Sequence, residues 1–221
     1  MSLIEECLVV FAKAPEPGRV KTRLKLPPHQ AAKLHSAFVR DVVERHQKVD
    51  RSLVVWRAGD LNHPFWSELS VALAEQPEGQ LGTKMRHAFE VELNRSNKVV
   101  IVGTDSPSLP PEMVDAAFLA LDTHPVVLGP ACDGGYYLVG ARGPVPDIFP
   151  VDMPWGTESV LRRTLTCLLE QDVSCGLTPF WYDVDRPEDL LLLQTHLQTA
   201  TGIGPEPRHA LAILEELLGN G

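Results

Sequence analysis

The stretch Cys7-Leu-Val-Val-Phe11-Ala-Lys-Ala-Pro-Glu-Pro-Gly-Arg-Val-Lys-Thr-Arg-Leu24 joins a short apolar run to a Pro/Gly-rich loop that carries Lys13, Arg19, Lys21 and Arg23. An unbroken apolar run bounded by turn residues reads as a strand buried on both faces, as in a parallel sheet. Open α/β sheets bind ligands at the carboxyl ends of such strands, where this loop begins. Pro15 and Pro17 fix φ and preform the loop, and Gly18 lets the backbone turn or approach a ligand closely. Four cations on one preformed loop call for an anion, and the expected anion is a nucleotide phosphate, clamped by the Arg forks and the Lys point charges. A solvated basic surface loop has the same composition, so the loop alone leaves both readings open. No Walker-type Gly-x-x-x-x-Gly-Lys-Ser/Thr occurs, and no Gly-x-Gly-x-x-Gly follows the run.

Outward from this segment, strand-like and helix-like stretches alternate. Helices are expected over residues 28–47, 63–69, 83–95, 110–121, 158–170, 187–197 and 208–218. Strands are expected over 52–56, 71–75, 98–103, 126–129, 136–140 and 177–182. The alternation predicts a three-layer α/β/α, Rossmann-like fold with a mixed, mostly parallel sheet. At 221 residues and 44% hydrophobic content, a single domain is expected, with its core over about 7–200, a linker over 201–207 and a terminal helix over 208–218. That helix carries Leu211, Leu214, Leu217 and Leu218 on one face, for packing on its own domain or on a twin subunit, so monomer and homodimer both remain open.

Three further segments carry chemistry. Gly103-Thr-Asp-Ser-Pro-Ser-Leu-Pro-Pro111 follows the most apolar strand and places Asp105 at the same sheet edge as the cationic loop. One such carboxylate, sharing an ion with a diphosphate, suffices for magnesium; alternatively Asp105 or Ser108, the nearer of the two, caps the helix opening at Pro110-Pro111. Gly129-Pro-Ala-Cys-Asp-Gly-Gly-Tyr-Tyr-Leu-Val-Gly140 turns at Asp133-Gly134-Gly135. That turn is ordinary hairpin chemistry, but it also permits close backbone approach to a substrate. Tyr136 and Tyr137 alternate across the strand, so one ring at most is expected to face a ligand. Tyr182-Asp-Val-Asp-Arg-Pro-Glu-Asp-Leu190 puts Asp183 and Asp185 two apart at a strand end, where both could approach one cation, ahead of a helix with an acidic first turn.

Five blocks in order, residues 11–24, Gln80-Leu-Gly-Thr-Lys-Met85, Gly103-Thr-Asp-Ser-Pro107, residues 129–140 and Asp183-Val-Asp-Arg-Pro-Glu-Asp-Leu190, resemble the DUF2064 family, also called radical-SAM/selenodomain-associated transferase 1. The family is grouped with nucleotide-diphospho-sugar transferases of the GT-A fold and is similar to the molybdenum-cofactor and phospholactate guanylyltransferases. The resemblance implies a transferase that uses a nucleotide-activated donor with Mg2+ or Mn2+. A nucleotide sugar is the first expectation, a nucleoside triphosphate with release of pyrophosphate the alternative, and a non-catalytic nucleotide-binding protein the second alternative. It also implies that Ala12, Lys13, Pro17, Gly18, Lys21, Thr22 and Arg23 hold the nucleotide, with Lys13, Lys21 and Arg23 on its phosphates. Asp105 and Asp185 would hold the metal, Asp105 and Asp133 would serve catalysis, and Gly82, Asp133 and Gly134 would line the acceptor side. Thr83-Lys84 stands where the family commonly has an acidic-basic pair, and Gly156 stands where Ser follows Trp155.

Charge and composition restrict the partners. Twenty basic against 29 acidic residues give a net charge of -9, which disfavours nucleic-acid and anionic-membrane binding. Cys7, Cys132, Cys167 and Cys175 show no C-x-x-C spacing, and a cytoplasmic location is expected. No apolar run reaches the length of a membrane span, and the amino terminus lacks a basic leader pattern. The expected ligands are therefore small molecules, a nucleotide donor and an acceptor. The eight histidines lie outside the five blocks and read as surface or core polar residues.

Overall fold

A computed structural model describes residues 4–199 and 207–219. Its strands are β1 (Ile4–Lys13), β2 (Ser52–Ala58), β3 (Ala72–Glu75), β4 (Ser96–Val102), β5 (Val126–Pro130), β6 (Tyr136–Arg142) and β7 (Cys175–Leu177). Its helices are α1 (Pro28–His46), α2 (Leu81–Glu92), α3 (Pro111–Ala120), α4 (Val160–Glu170), α5 (Pro187–Thr199) and α6 (Arg208–Leu218), with 3-10 turns at Thr22–Leu24 and Pro64–Glu68. The seven strands form one sheet in the order β3-β2-β1-β4-β6-β5-β7. β6 alone runs antiparallel to its neighbours, β4 and β5; the other pairings are parallel. This is the mixed, mostly parallel α/β sheet that the alternation predicts.

The apolar run at the start of β1 supplies both faces of the sheet. Leu8, Val10 and Ala12 pack with Val39, Val42 and Val43 of α1 and with Val114 and Phe118 of α3. Cys7 and Val9 pack on the other face with Met85, Ala88 and Phe89 of α2 and Leu168 of α4. Strand alternation thus buries every side chain from Cys7 to Val10, at 1% exposure or less. A third cluster joins Leu34 and Phe38 of α1, Leu190 and Leu193 of α5 and Ala210 and Leu214 of α6, with Leu24 and Val184 inserted from two loops. The terminal helix therefore packs on its own chain. Within the linker expected over 201–207, residues 201–206 lie outside the described residues.

Two local expectations change. The strand expected over 177–182 is shorter and earlier, at Cys175–Leu177, because Pro179 has no N–H to donate. The chain rejoins the sheet edge only at Trp181, which bridges Ala131. Asp183 and Asp185 consequently sit on irregular backbone, where Val184 N donates to Asp105 O at 2.8 Å. Ser108 does not cap α3, whose N-cap position is Pro110; its hydroxyl donates to Tyr182 Oη instead.

Candidate functional site

Parallel pairing of β1 with β4 sets Val10 opposite Val102, so Lys13 and Asp105 emerge at one sheet edge. Antiparallel β6 begins at that edge, with Leu138 opposite Val102. Between these strand ends and the loop after β1 lies a cleft of about 620 Å³, within the usual range for small-molecule sites. Ala12, Lys13, Lys21, Thr22, Arg23, Asp105 and Asp185 line it. Pro17, Gly18, Gly82, Asp133 and Gly134 do not appear on its walls.

The loop is anchored by two apolar plugs, Val20 at 4% exposure and Leu24 at 2%. Gly18 turns at φ 80°, and Lys21 adopts the left-handed region at φ 48°, a conformation that costs a non-glycine residue about 1 kcal/mol or more. Arg19 and Arg23 project outward, at 76% and 72% side-chain exposure, while Lys21 turns inward, at 4%. The Lys21 ammonium donates to Asp105 Oδ1 at 2.5 Å, Asp185 Oδ1 at 3.1 Å and Val184 O at 2.6 Å. Lys21 was expected on a nucleotide phosphate; its contacts here are the two carboxylates expected to hold metal. Burial opposes both charges, but the pair outweighs it, holding Lys21 above the ordinary lysine value and Asp105 below the usual carboxylate range.

Asp185 is free for this contact because Asp189 seals the start of α5. Asp189 Oδ2 accepts from the N–H groups of Asp185 at 2.9 Å and Arg186 at 2.7 Å. Asp183 takes a different partner, accepting from Ser106 Oγ at 2.6 Å. Burial pushes the Asp183 carboxyl up to about 7; the Ser106 bond opposes the rise, and the charges of Asp105, Asp133 and Asp185 add to it. Asp105 and Asp185 together offer hard oxygen donors converging on one point, which suits Mg2+ or Mn2+ sharing phosphate oxygens. Among the described residues no group of three or more His, Cys, Asp or Glu side chains converges to hold a metal.

The residues off the cleft walls have local reasons for their identity. Asp133 Oδ1 accepts from Gly135 N at 2.8 Å within its own turn. Gly134 has φ 88°, and a Cβ there would stand 2.3 Å from Glu158 O, so the turn packs on the approach to α4. A Cβ on Gly82 would meet Phe149 at 2.9 Å and Trp155 at 3.0 Å. Tyr137 and Tyr136 belong to opposite faces of the sheet, as alternation requires, yet both line the cleft because it crosses the end of β6. The expectation of one ring at most is thus corrected.

Three lining residues escaped the sequence reading as ligand contacts. His35 Nε2 meets Lys13 O at 3.1 Å, an acceptor, so Nε2 carries the proton. Burial pushes this imidazole down to about 4, keeping it neutral. Gln76 donates Nε2 to Trp56 O at 2.8 Å, which leaves its Oε1 as the accepting atom of the amide. Lys84, on the first turn of α2, forms no ion pair among the described residues, and neither does Lys13. Periodicity finds none of the three: Gln76 and Lys84 lie just past a strand and on the first turn of a helix, and His35, inside α1, is a buried helix residue whose contact with the Lys13 carbonyl depends on the tertiary fold.

A family model described as "Uncharacterized protein conserved in bacteria (DUF2064)" matches residues 39–157. The chain belongs to the DUF2064 family. This DUF2064 protein is similar to a crystal structure from Desulfovibrio desulfuricans G20, provisionally described as a nucleotide-diphospho-sugar transferase. The two are 31% identical with a TM-score of 0.85, over 98% of this chain and 95% of that one. It is also 37% identical, over 99 residues, to the 3-phospho-D-glycerate guanylyltransferase of Phenylobacterium zucineum (strain HLK1), and that match spans 41% of each protein. CMP:2-keto-3-deoxy-manno-octonic acid synthetase, solved with CTP, shares the DUF2064 protein's fold at 10% identity and TM-score 0.59, over 88% of this chain and 98% of that one.

Proposed function

We propose that this protein is a divalent-metal-dependent transferase that takes a nucleotide sugar as donor and a hydroxyl compound as acceptor. The observation that carries the reading is a single cleft that holds both cations free for phosphate and two carboxylates, Asp105 and Asp185, that converge on one point. Lys13 and Lys84, which form no ion pair among the described residues, line it together with Arg23 and with Asp105, Asp183 and Asp185, and Arg23 lies 3.9 Å from Asp185. Such cations suit a diphosphate, whose negative charge rises as it leaves. The 31% identical structure described as a nucleotide-diphospho-sugar transferase supports the same reading.

Asp105 and Asp185 would hold the metal, which when bound supplies positive charge to the departing diphosphate. Lys13 and Arg23 would bind its phosphate oxygens and orient the sugar. Asp183, fixed through Oδ1 by Ser106, has Oδ2 left to accept the acceptor's proton. The acceptor oxygen bonds to the anomeric carbon as the bond from that carbon to the diphosphate breaks, and the nucleoside diphosphate leaves with the electron pair. Asp133, bonded within its turn, is the weaker candidate for the proton.

A second reading is nucleotidyl transfer from a nucleoside triphosphate, favoured by the relative named a guanylyltransferase. The products decide between them. Incubation with nucleotide sugars and triphosphates, with Mg2+ or Mn2+ and a panel of hydroxyl and phosphorylated acceptors, is expected to release a nucleoside diphosphate. Pyrophosphate instead would replace the first reading by the second, and nucleotide binding without any product would indicate a non-catalytic binder.

A further inference from the structure

Lys21 is built into the cleft as a cation. Its three ammonium protons have three acceptors, Asp105 Oδ1, Asp185 Oδ1 and Val184 O, at 2.5, 3.1 and 2.6 Å. The ammonium also lies 5.3 Å from the centroid of the Phe38 ring. The side chain is 4% exposed, whereas Asp105 and Asp185 are 50% and 39% open to the cleft. The left-handed backbone at Lys21 and the buried neighbours Val20 and Leu24 aim it inward. Such strain in a non-glycine residue persists where the surroundings enforce it.

We propose that Lys21 is a tethered cation that competes with a divalent ion for the Asp105–Asp185 pair. Both carboxylates already bond the ammonium through Oδ1, and an ion bridging them would stand within a few ångströms of Nζ. Two cations at that separation repel strongly in a partly desolvated cleft. The free protein therefore binds Mg2+ or Mn2+ poorly, and the ion enters when Lys21 leaves. The oxygens of a diphosphate beside Lys13 and Arg23 offer the displaced ammonium new acceptors. This last step rests on the nucleotide reading above; the competition itself does not.

The test is titration of the full chain with Mn2+ alone, reading loss of the free-ion electron paramagnetic resonance signal. Lys21→Gln, which keeps a long polar side chain and removes the charge, is expected to bind Mn2+ at least tenfold more tightly than the wild type. Adding Asp105→Asn to that variant is expected to cancel the gain. Equal Mn2+ affinity for wild type and folded Lys21→Gln would overturn the proposal. If Lys21→Gln does not fold, Asp105→Asn in the wild-type background still decides. Unchanged Mn2+ affinity is expected, because Lys21 already occupies that carboxylate, and a tenfold loss would contradict it. Since no nucleotide is present, failure to bind any nucleotide would sink the proposed function and leave this result standing.

Discussion

Lys21, Lys13 and Arg23 show how position within one loop divides like charges into different roles. Lys21 is committed to Asp105 and Asp185, while Lys13 forms no ion pair among the described residues and Arg23, 72% exposed, only approaches Asp185 at 3.9 Å, so both can turn to a ligand. Lys21→Ala is expected to destabilise the protein by about 1–3 kcal/mol in denaturant titrations. That lies between the values for exposed and for fully buried pairs, because Lys21 is buried but both carboxylates face an open cleft. Lys13→Ala and Arg23→Ala are expected to leave stability within about 0.5 kcal/mol of wild type. By calorimetry, each should weaken a nucleoside diphosphate about tenfold while leaving the nucleoside unaffected; equal losses for both ligands would mean that neither side chain touches phosphate. The sequence shows that this loop is cationic and lies at a strand end, because Pro, Gly and charge are local signals. It does not show which cation turns inward, because the contact from Lys21 to Asp185 crosses 164 positions and depends on the tertiary fold. Asp133 marks the opposite limit: its local turn chemistry was readable, and the structure shows that chemistry in the Gly135 bond.

Among the helices, α6 depends on a side chain from another element. Its N-cap position, Pro207, supplies no side-chain cap, and Asp41 of α1 instead accepts from His209 N at 3.0 Å and Ala210 N at 2.7 Å. Asp41→Ala leaves these donors without that partner and is expected to cost about 1–3 kcal/mol. Burial pushes the Asp41 carboxyl up to about 6; the two backbone bonds and the His209 charge oppose the rise, and Glu44 adds to it. The folded value lies above the unfolded one, so this contribution is fully present below about pH 4 and is lost as pH rises through about 6, up to about 3 kcal/mol. Asp41→Asn removes that titration, so its stability between pH 4 and 7 should be flatter than the wild type's by this amount. Parallel pH profiles for the two proteins would refute the assignment. Helix existence was readable from apolar periodicity, and α6 matches the expected span. The late strand was misplaced because its apolar residues continue past Pro179, where the hydrogen-bond ladder breaks.

At the scale of the molecule, parallel β1 and β4 bring the cationic loop and Asp105 to one edge, and antiparallel β6 closes the cleft beside them. That convergence follows from strand direction, so the sequence foreshadowed it once the alternation of elements was read. Gly82 and Gly134 were harder to place, because a glycine that packs against Phe149, Trp155 or Glu158 looks like one that admits a ligand. No described helix is long and apolar enough to cross a membrane, and Cys7, Cys132, Cys167 and Cys175 are free. The central claim is that this edge binds a nucleotide through its phosphates. Its most direct test is the melting temperature of the full chain with nucleosides, nucleoside mono-, di- and triphosphates and nucleotide sugars, each with Mg2+, Mn2+ or chelator. A ligand at about 100 times its dissociation constant adds about 2.7 kcal/mol, or roughly 5–10 °C at this size. The account predicts such a shift, metal-dependent, for at least one nucleotide sugar or nucleoside di- or triphosphate, and none for the matching nucleoside. No shift with any phosphorylated nucleotide, in a sample that melts cooperatively, would contradict it.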